Sequence, residues 1–489
     1  MAHLIIEKVN EVYLKIDTEP HVEHELRDRF TFEVEGAKFM PQYRRRHWNG
    51  EIHLFDMRTK RIYVGLLDKI VTFCEQSNYT YEFKDNKFYG LPFEVNEMIS
   101  KEGVKDYMAS ITGPDIKARD YQIDAVYDAL RYNRKLLISP TASGKSFMIY
   151  SVVRFHVGLK RKVLLVVPTT SLVEQMYKDF ESYGWDAQNH CHRIYAGRER
   201  VNTNEVTITT WQSVYQLDRT FFEEYDVVIG DEAHLFKSKS LVGIMDKLHH
   251  AKYRYGFTGT LDGTQTHKWV LEGLFGPSYK VTGTKKLIDE GHLATLDIQC
   301  IVLKYKPQKF DVFEDEIQFL IGHPTRNKFI RNLALDLKGN TLILYARVEA
   351  HGAILYEEIN KRVREDRKVF FIHGGVDAED REEVRRITEE ESDAIIVASY
   401  GTFSTGINIK NLHNVIFASP SKSRIRNLQS IGRVLRKGKD KVKAKLYDIA
   451  DDTTLNSRKN YTLNHFIERV KIYNQEQFNY EISTIDIKE

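Results

Sequence analysis

Cysteine is scarce in this sequence. Cys74, Cys191 and Cys300 are scattered and odd in number, which excludes a disulfide framework and fits a reducing compartment. Long apolar runs are missing too: no stretch reaches the roughly 18 apolar residues a membrane-spanning helix needs. The first thirty residues carry charge every few positions (Glu7, Lys8, Glu11, Lys15, Asp17), which predicts no signal peptide, no membrane partner and a cytoplasmic location. The net charge is only +3, so bulk electrostatics alone do not mark a nucleic-acid binder. Nor is there a bias toward disorder or a fibrous repeat, with 42% hydrophobic and 29% charged residues. At 489 residues the chain exceeds the length at which single cores stop growing, about 250–300 residues, so two or three domains are expected.

What is present is a repeated alternation. From about Lys135, short apolar runs alternate with amphipathic stretches of helical length, the pattern of a parallel sheet covered by helices. Runs at 136–138, 163–167, 206–208 and 227–229 form one series, and runs at 341–345, 369–372, 394–397, 415–418 and 444–447 form a second. Residues 1–95 read as a small α+β module, with strand-like pieces at 3–6, 12–16, 51–55 and 79–83 around helix-like 21–29 and 65–77. Apolar residues Leu463, Phe466, Ile467, Val470 and Tyr473 predict a terminal helix in a tail at 456–489. The expected division is 1–95, 96–283, 284–455 and 456–489.

Ser139-Pro140-Thr141-Ala142-Ser143-Gly144-Lys145-Ser146 follows an apolar run and opens a helix-like stretch. Backbone N–H groups in such a loop point at phosphates, and the helix dipole adds to them. Lys145 would neutralise the β and γ oxygens of ATP, and the Ser146 hydroxyl would hold Mg²⁺. The strict pattern is broken at its first position, where Ser139 replaces glycine. A phosphate cradle also needs a carboxylate at the carboxyl end of a neighbouring strand, where the crevice of a parallel sheet opens. In Asp231-Glu232-Ala233-His234, after Val227-Val228-Ile229-Gly230, Asp231 is placed to hold Mg²⁺ and Glu232 to polarise the attacking water.

With Asp231-Glu232-Ala233-His234 in place the chain resembles superfamily 2 helicases across both α/β series. The resemblance implies two RecA-like parallel-sheet domains in tandem, with the N-terminal α+β module and a helical C-terminal tail. Arg119-Asp120-Tyr121-Gln122 is similar to the adenine-recognition motif, with Gln122 the implied base reader. Val167-Pro168-Thr169-Thr170 and Thr209-Thr210-Trp211 resemble motifs that face the nucleic-acid backbone, implying contacts from Thr169 and Thr210; Arg347 and Thr402 are placed likewise. Phe257-Thr258-Gly259-Thr260 resembles the coupling motif, so His234, Thr258 and Thr260 are the implied transmitters. Ser399-Tyr400-Gly401-Thr402, then Ser404-Thr405-Gly406-Ile407-Asn408, resembles motif V and adds Gly406 to the nucleotide set. Gln429-Ser430-Ile431-Gly432-Arg433-Val434-Leu435-Arg436 matches motif VI at every fixed position. Two arginines three apart share a helix face, so Arg433 and Arg436 are expected as arginine fingers across the interdomain cleft.

Motif order, the N-terminal module and the segment Tyr43-Arg44-Arg45-Arg46-His47-Trp48-Asn49-Gly50 resemble the UvsW-type recombination and repair helicases of T4-like phages. That resemblance implies remodelling of forks and four-way junctions, DNA as partner in branched or single-stranded form, RNA in hybrids, and recombination or single-strand-binding protein partners. It also implies a monomer working in the host cytoplasm. In the module, Arg44, Arg45 and Arg46 would bind phosphates while Tyr43 or Trp48 stacks on a base or wedges a junction; a buried Trp48 among solvated arginines is the competing expectation. A second basic run spans Arg436, Lys437, Lys439, Lys441, Lys443 and Lys445, and for a single such run a solvated face is expected. His190-Cys191-His192 lacks a second ligand pair at zinc spacing and is expected as a loop. The same motifs also serve a duplex translocase that does not separate strands and an RNA helicase. A nucleic-acid-binding scaffold with a vestigial ATP site is the reading from another class, opposed by the complete set Lys145, Asp231, Glu232, Gln429, Arg433 and Arg436.

Overall fold

A computed structural model describes residues 2–34, 36–85, 87, 89, 95–195, 204–406, 409, 411–437, 441 and 443–487. It divides into two compact units, Met1–Ser139 with Ser143–Val281, and Pro140–Ala142 with Thr282–Glu489.

The first unit begins with β1 (His3–Lys8), β2 (Tyr13–Asp17), β3 (Thr31–Glu33), β4 (Glu51–His53), β5 (Arg61–Tyr63) and β6 (Thr80–Phe83). Four of these make a sheet of order β5-β2-β1-β6, and β3 and β4 pair as a ribbon. Period-two alternation turns Leu4, Ile6, Leu14 and Ile16 inward. Helices Pro20–Arg29 and Leu67–Gln76 close this core with Val22, Leu26, Ile70 and Phe73.

The core does not stop at the module. It takes in Trp269 and Val270 of helix Gln265–Phe275, with the Phe30 and Phe32 rings 5.4 and 5.2 Å from that of Trp269. Gly65 approaches the same helix so closely that a Cβ there would lie 2.0 Å from the Glu272 carbonyl oxygen. Arg134, at the start of the next strand, is buried and places its guanidinium 2.6 Å from the Glu11 carboxylate.

The rest of this unit is a parallel sheet of β7 (Arg134–Ile138), β8 (Val163–Val167), β9 (Cys191–Ile194), β10 (Val206–Thr210), β11 (Val227–Asp231), β12 (Tyr253–Thr258) and β13 (Ser278–Lys280). Their order is β13-β7-β12-β11-β8-β10-β9. Strands β8, β10 and β11 are buried along their whole length, as expected where both faces carry helices. His190-Cys191-His192 runs into edge strand β9 and is not the loop expected, because Cys191 and Ile194 turn into the domain.

The second unit repeats the architecture with β14 (Thr295–Lys304), β15 (Thr341–Tyr345), β16 (Val369–Ile372), β17 (Ile395–Ser399), β18 (Asn414–Phe417), β19 (Lys443–Asp452) and β20 (Tyr480–Asp486), all parallel in the order β16-β17-β15-β18-β19-β14-β20. The terminal helix expected from spacing is Tyr461–Gln475, with Phe466, Ile472 and Tyr473 buried. Beyond it β20 adds an edge strand whose residues are nearly all exposed, so no burial pattern announces it. Among the described residues no helix is long and apolar enough to cross a membrane.

Candidate nucleotide site and nucleic-acid interface

β7 ends at Ile138 and helix Lys145–Gly158 begins seven residues later. Two residues of the intervening loop take left-handed backbone, Ala142 at φ 65° and Gly144 at φ 80°. A side chain at Gly144 would be excluded twice over, since a Cβ there would stand 2.2 Å from Nε2 of Gln122. The hydroxyls of Ser139 and Ser143 bond to each other, so the serine at the irregular first position closes the loop by its side chain.

The expected adenine motif grips this loop. Gln122 Nε2 donates to the Ser143 carbonyl at 2.8 Å and the Tyr121 hydroxyl to the same oxygen at 3.1 Å. The other end of the Gln122 amide accepts from the Arg119 backbone N–H at 2.9 Å, and the Arg119 guanidinium donates to Tyr121. Gln122 is buried and spends both ends of its amide on fixing the loop and the turn before its own helix. Ser146 Oγ lies 2.8 Å from the hydroxyl of Tyr183, a residue that sequence reading missed because it comes from the far end of another helix.

Lys145 reaches across to β11, with Nζ 2.9 Å from Asp231 Oδ1 and 2.7 Å from Glu232 Oε1. Burial disfavours charge on all three groups. At Lys145 the two carboxylates outweigh it and raise the pKa. At Glu232, Lys145 and His234 outweigh it and hold the carboxyl well below the usual range, whereas at Asp231 burial prevails and the pKa rises. One ammonium cannot fully neutralise two adjacent anions, so Glu232 keeps the negative charge and Asp231 is the more readily protonated. Glu232 itself sits at φ 50°, in left-handed backbone that costs energy for a non-glycine residue.

From the carboxylates a chain of contacts leads to the end of β12. His234 Nδ1 lies 3.3 Å from Glu232 Oε2 and 3.0 Å from the Thr258 hydroxyl, which donates to the Thr260 carbonyl at 3.0 Å. The Thr260 hydroxyl is buried without a hydrogen-bond partner among the described residues. Behind His234, His267 Nε2 donates to its carbonyl at 2.9 Å while Asp262 holds His267 Nδ1 at 3.0 Å. His267 and Asp262 were not foreseen, because no local pattern marks them.

In the second unit, helix Arg424–Val434 carries half-buried Gln429 and, in its last turn, Arg433, whose guanidinium lies 5.7 Å from the Phe403 ring centre. Arg436, expected on the same helix, falls two residues past its end. The helix ends before it: the Arg436 N–H turns back to the Arg433 carbonyl at 3.4 Å, and the buried Lys441 ammonium donates to the carbonyls of Val434 and Arg436. A lysine that satisfies these terminal carbonyls closes the helix two residues short of Arg436. Gly406 ends helix Tyr400–Gly406, and Ile407, Asn408 and Lys439 lie outside the described residues.

Three family profiles match the chain: DNA helicase UvsW, N-terminal, at residues 7–84; type III restriction enzyme, res subunit, at 115–263; and helicase conserved C-terminal domain at 325–438. The chain is 32% identical over 502 residues to the ATP-dependent DNA helicase uvsW of Enterobacteria phage T4, covering 97% of this chain and 98% of that one. The chain belongs to the UvsW family of superfamily 2 DNA helicases. As an enzyme it is an ATP-dependent helicase, and its two seven-stranded sheets are RecA-like domains. The crystal structure of T4 UvsW superposes with a TM-score of 0.52 at 30% identity, covering 99% of both chains. The DNA 3'-5' translocase XPB2 of Sulfurisphaera tokodaii is 22% identical over 77% of this chain and 91% of its own.

The track residues implied for this helicase fall into two groups. Arg44, Arg45 and Arg46 are all exposed around the short helix Pro41–Arg44, and Arg46 adopts φ 58°. Trp48 is half-buried with its indole N–H donated to the Glu51 carbonyl at 2.7 Å. Arg347 is exposed and bonds Glu314 at 2.7 Å. The threonines differ. Thr169 caps helix Thr170–Ser182 by accepting from the Leu172 N–H at 3.4 Å. Thr210 and Thr402 are buried, with hydroxyls 2.9 Å from Ser213 and 2.8 Å from Ser399. Their side chains shape the turns after β10 and β17.

Proposed function

We propose that this helicase remodels branched DNA, unwinding or branch-migrating forks and four-way junctions in recombination and repair, with DNA–RNA hybrids as a further substrate. The observation that carries this reading is the exposed surface of the N-terminal module. Lys38, Tyr43, Arg44, Arg46, His47 and Trp48 line an open hollow of about 650 Å³, on a module whose core is shared with helix Gln265–Phe275. Cations beside aromatic faces suit a strand whose bases are unpaired, as at a junction. Sharing a core with the first sheet holds that surface at a fixed distance from the phosphate loop. The similarity to a protein named as an ATP-dependent DNA helicase supports DNA as the track.

The residues at the loop fit ATP and Mg²⁺. Left-handed Ala142 and Gly144 turn the backbone into a cradle with Thr141 and Ser143; Lys145 would meet the phosphate oxygens of ATP, and Ser146 and the buried Asp231 would hold Mg²⁺. The metal, when bound, neutralises charge on the phosphates. Glu232, kept anionic, accepts the proton of the attacking water. Arg433 and Arg436 stabilise charge on the transferred phosphoryl group, with Gln429, Arg119, Gln122 and Gly406 completing the nucleotide set. His234, Thr258 and Thr260 pass the change of state to the track. The working division is 1–95, 96–283, 284–455 and 456–489, in a cytoplasmic monomer that meets recombination or single-strand-binding proteins on DNA.

The test is ATP hydrolysis by the purified protein with no nucleic acid, single-stranded DNA, forked DNA, four-way DNA and RNA, beside the Lys145→Ala variant. Strongest stimulation by branched DNA, lost in the variant, is expected. Stimulation by RNA alone would overturn the track, and stimulation by linear duplex without strand separation would favour translocation.

A further inference from the structure

The carboxyl edge of the second unit's sheet holds a pocket that the helicase motifs leave unexplained. β14 and β19 run in register, with Lys304 opposite Asp452, so residues 305–312 and 453–460 rise from the same edge, where crevices of parallel sheets open. Together with the start of helix Tyr461–Gln475 they enclose a cavity of about 380 Å³.

Its lip is a tight turn. Asn456 and Ser457 both take left-handed backbone, at φ 48° and 64°. The N–H of Arg458 donates to the Leu455 carbonyl at 2.9 Å and that of Leu455 to the Arg458 carbonyl at 3.3 Å. Two left-handed residues between paired neighbours make a two-residue hairpin, a geometry that non-glycine residues adopt at a cost. The turn sets Arg458 and Lys459 in the pocket wall, which Lys309, Phe310 and Tyr461 also line.

The charge balance is one-sided. The acid in the wall, Glu316, is fully buried and spent on the helix start: it accepts from Asn460 Nδ2 at 2.7 Å, the N–H groups of Tyr461 and Thr462 at 2.8 and 2.7 Å, and the Thr462 hydroxyl at 2.6 Å. Lys309 pairs with exposed Asp311 at 2.8 Å, and that carboxylate also feels the Arg458 charge, so three wall cations, Lys309, Arg458 and Lys459, stand against one exposed acid and one that is spent. The pocket opens on the sheet edge that also carries the implied track. Arg347 follows β15 on the same edge and bonds the exposed Glu314 in the first turn of helix Phe313–Gly322, whose buried Glu316 lines the pocket.

We propose that this pocket is a phosphate-binding subsite for single-stranded nucleic acid, extending the track of the second unit beyond Arg347. Cations that take backbone phosphates next to aromatic rings that take base faces are what an unpaired strand requires. The inference rests on the chain being a helicase and not on the choice of branched DNA as substrate.

The experiment is binding of a fluorescent oligothymidine to the full-length protein across a range of salt, for wild type, Arg458→Ala/Lys459→Ala and the charge-keeping Arg458→Lys/Lys459→Arg. Removing one cation that neutralises a phosphate lowers the slope of log affinity against log salt by about 0.7 for a single strand, so the alanine pair is expected to lower it by roughly 1.4 and the charge-keeping pair to preserve it. Lys361→Ala/Arg362→Ala removes the same charge just beyond the end of helix Ile354–Asn360, away from the pocket, and is expected to leave the slope alone. An unchanged slope in the alanine pair, or an equal fall in the Lys361 and Arg362 control, would overturn the subsite. So would wild-type DNA binding by an Arg458→Ala/Lys459→Ala protein that has lost binding to polyglutamate, which would assign the pocket to an acidic protein segment.

Discussion

The ammonium of Lys145 stands 2.7 Å from Oε1 of Glu232 and holds that carboxyl in its charged form. In the wild type the folded pKa of Glu232 lies below its unfolded value, so its contribution is present above the ordinary glutamate range and is lost as pH falls toward the folded value. In Lys145→Ala, Asp231 and Glu232 become adjacent acids without that ammonium, and the folded pKa of Glu232 rises to join that of Asp231 above the unfolded values. The folded variant then binds more protons than the unfolded chain, and stability returns as pH falls. Thermal unfolding is expected to show a deficit of about 2 kcal/mol at pH 8 that narrows toward pH 5, with hydrolysis lost throughout. A deficit independent of pH would show that the three groups are not coupled.

His267 supports His234 from behind through its carbonyl, and Asp262 holds His267 in turn. Replacing His267 by phenylalanine keeps the bulk and removes the donor. DNA-stimulated turnover is expected to fall about 3- to 30-fold, corresponding to about 0.5–2 kcal/mol of coupling, and to fall further than turnover without DNA. Equal losses in both would place His267 in the chemistry and not in the coupling.

Gly65→Ala should loosen the N-terminal module, because the new Cβ meets the backbone of Glu272 and Gly273, which cannot rotate away. A loss of about 1–3 kcal/mol is expected, with faster proteolysis between the module and the first sheet. Wild-type protease resistance would mean that the helix shifts to admit the methyl group.

If Arg433 acts as the proposed arginine finger, Arg433→Ala lowers kcat by about 10³-fold. Arg433→Lys should recover little, because an ammonium lacks the planar two-pronged donor. Chelation of divalent cations by EDTA should stop hydrolysis in the wild type, and Asp231→Asn should do the same at saturating Mg²⁺. Full activity of Arg433→Lys would show that charge alone suffices there.

The phosphate loop and Asp231-Glu232 were legible because their chemistry is local: consecutive backbone N–H groups, one lysine, and two acids at a strand end. The early end of the motif VI helix was not legible, since Lys441, which satisfies its last carbonyls, arrives from beyond the helix. Strands β12 and β14 escaped notice because Arg254 and Gly256 interrupt the first and polar residues alternate through the second. Tyr183, His267 and Asp262 carry no local signature at all.

By itself the sequence determined the two α/β domains, the module ahead of them and the loop whose Lys145 meets Asp231 and Glu232, because helix and strand periodicity and the loop and its acids are all written in short runs. Only the tertiary structure decided that Trp269 of the first sheet domain completes the core of the module, that Gln122 spends its amide on the loop, and that Thr210 and Thr402 turn inward. Those outcomes depend on which surfaces, distant in the chain, bury one another, and burial is settled by the packed whole.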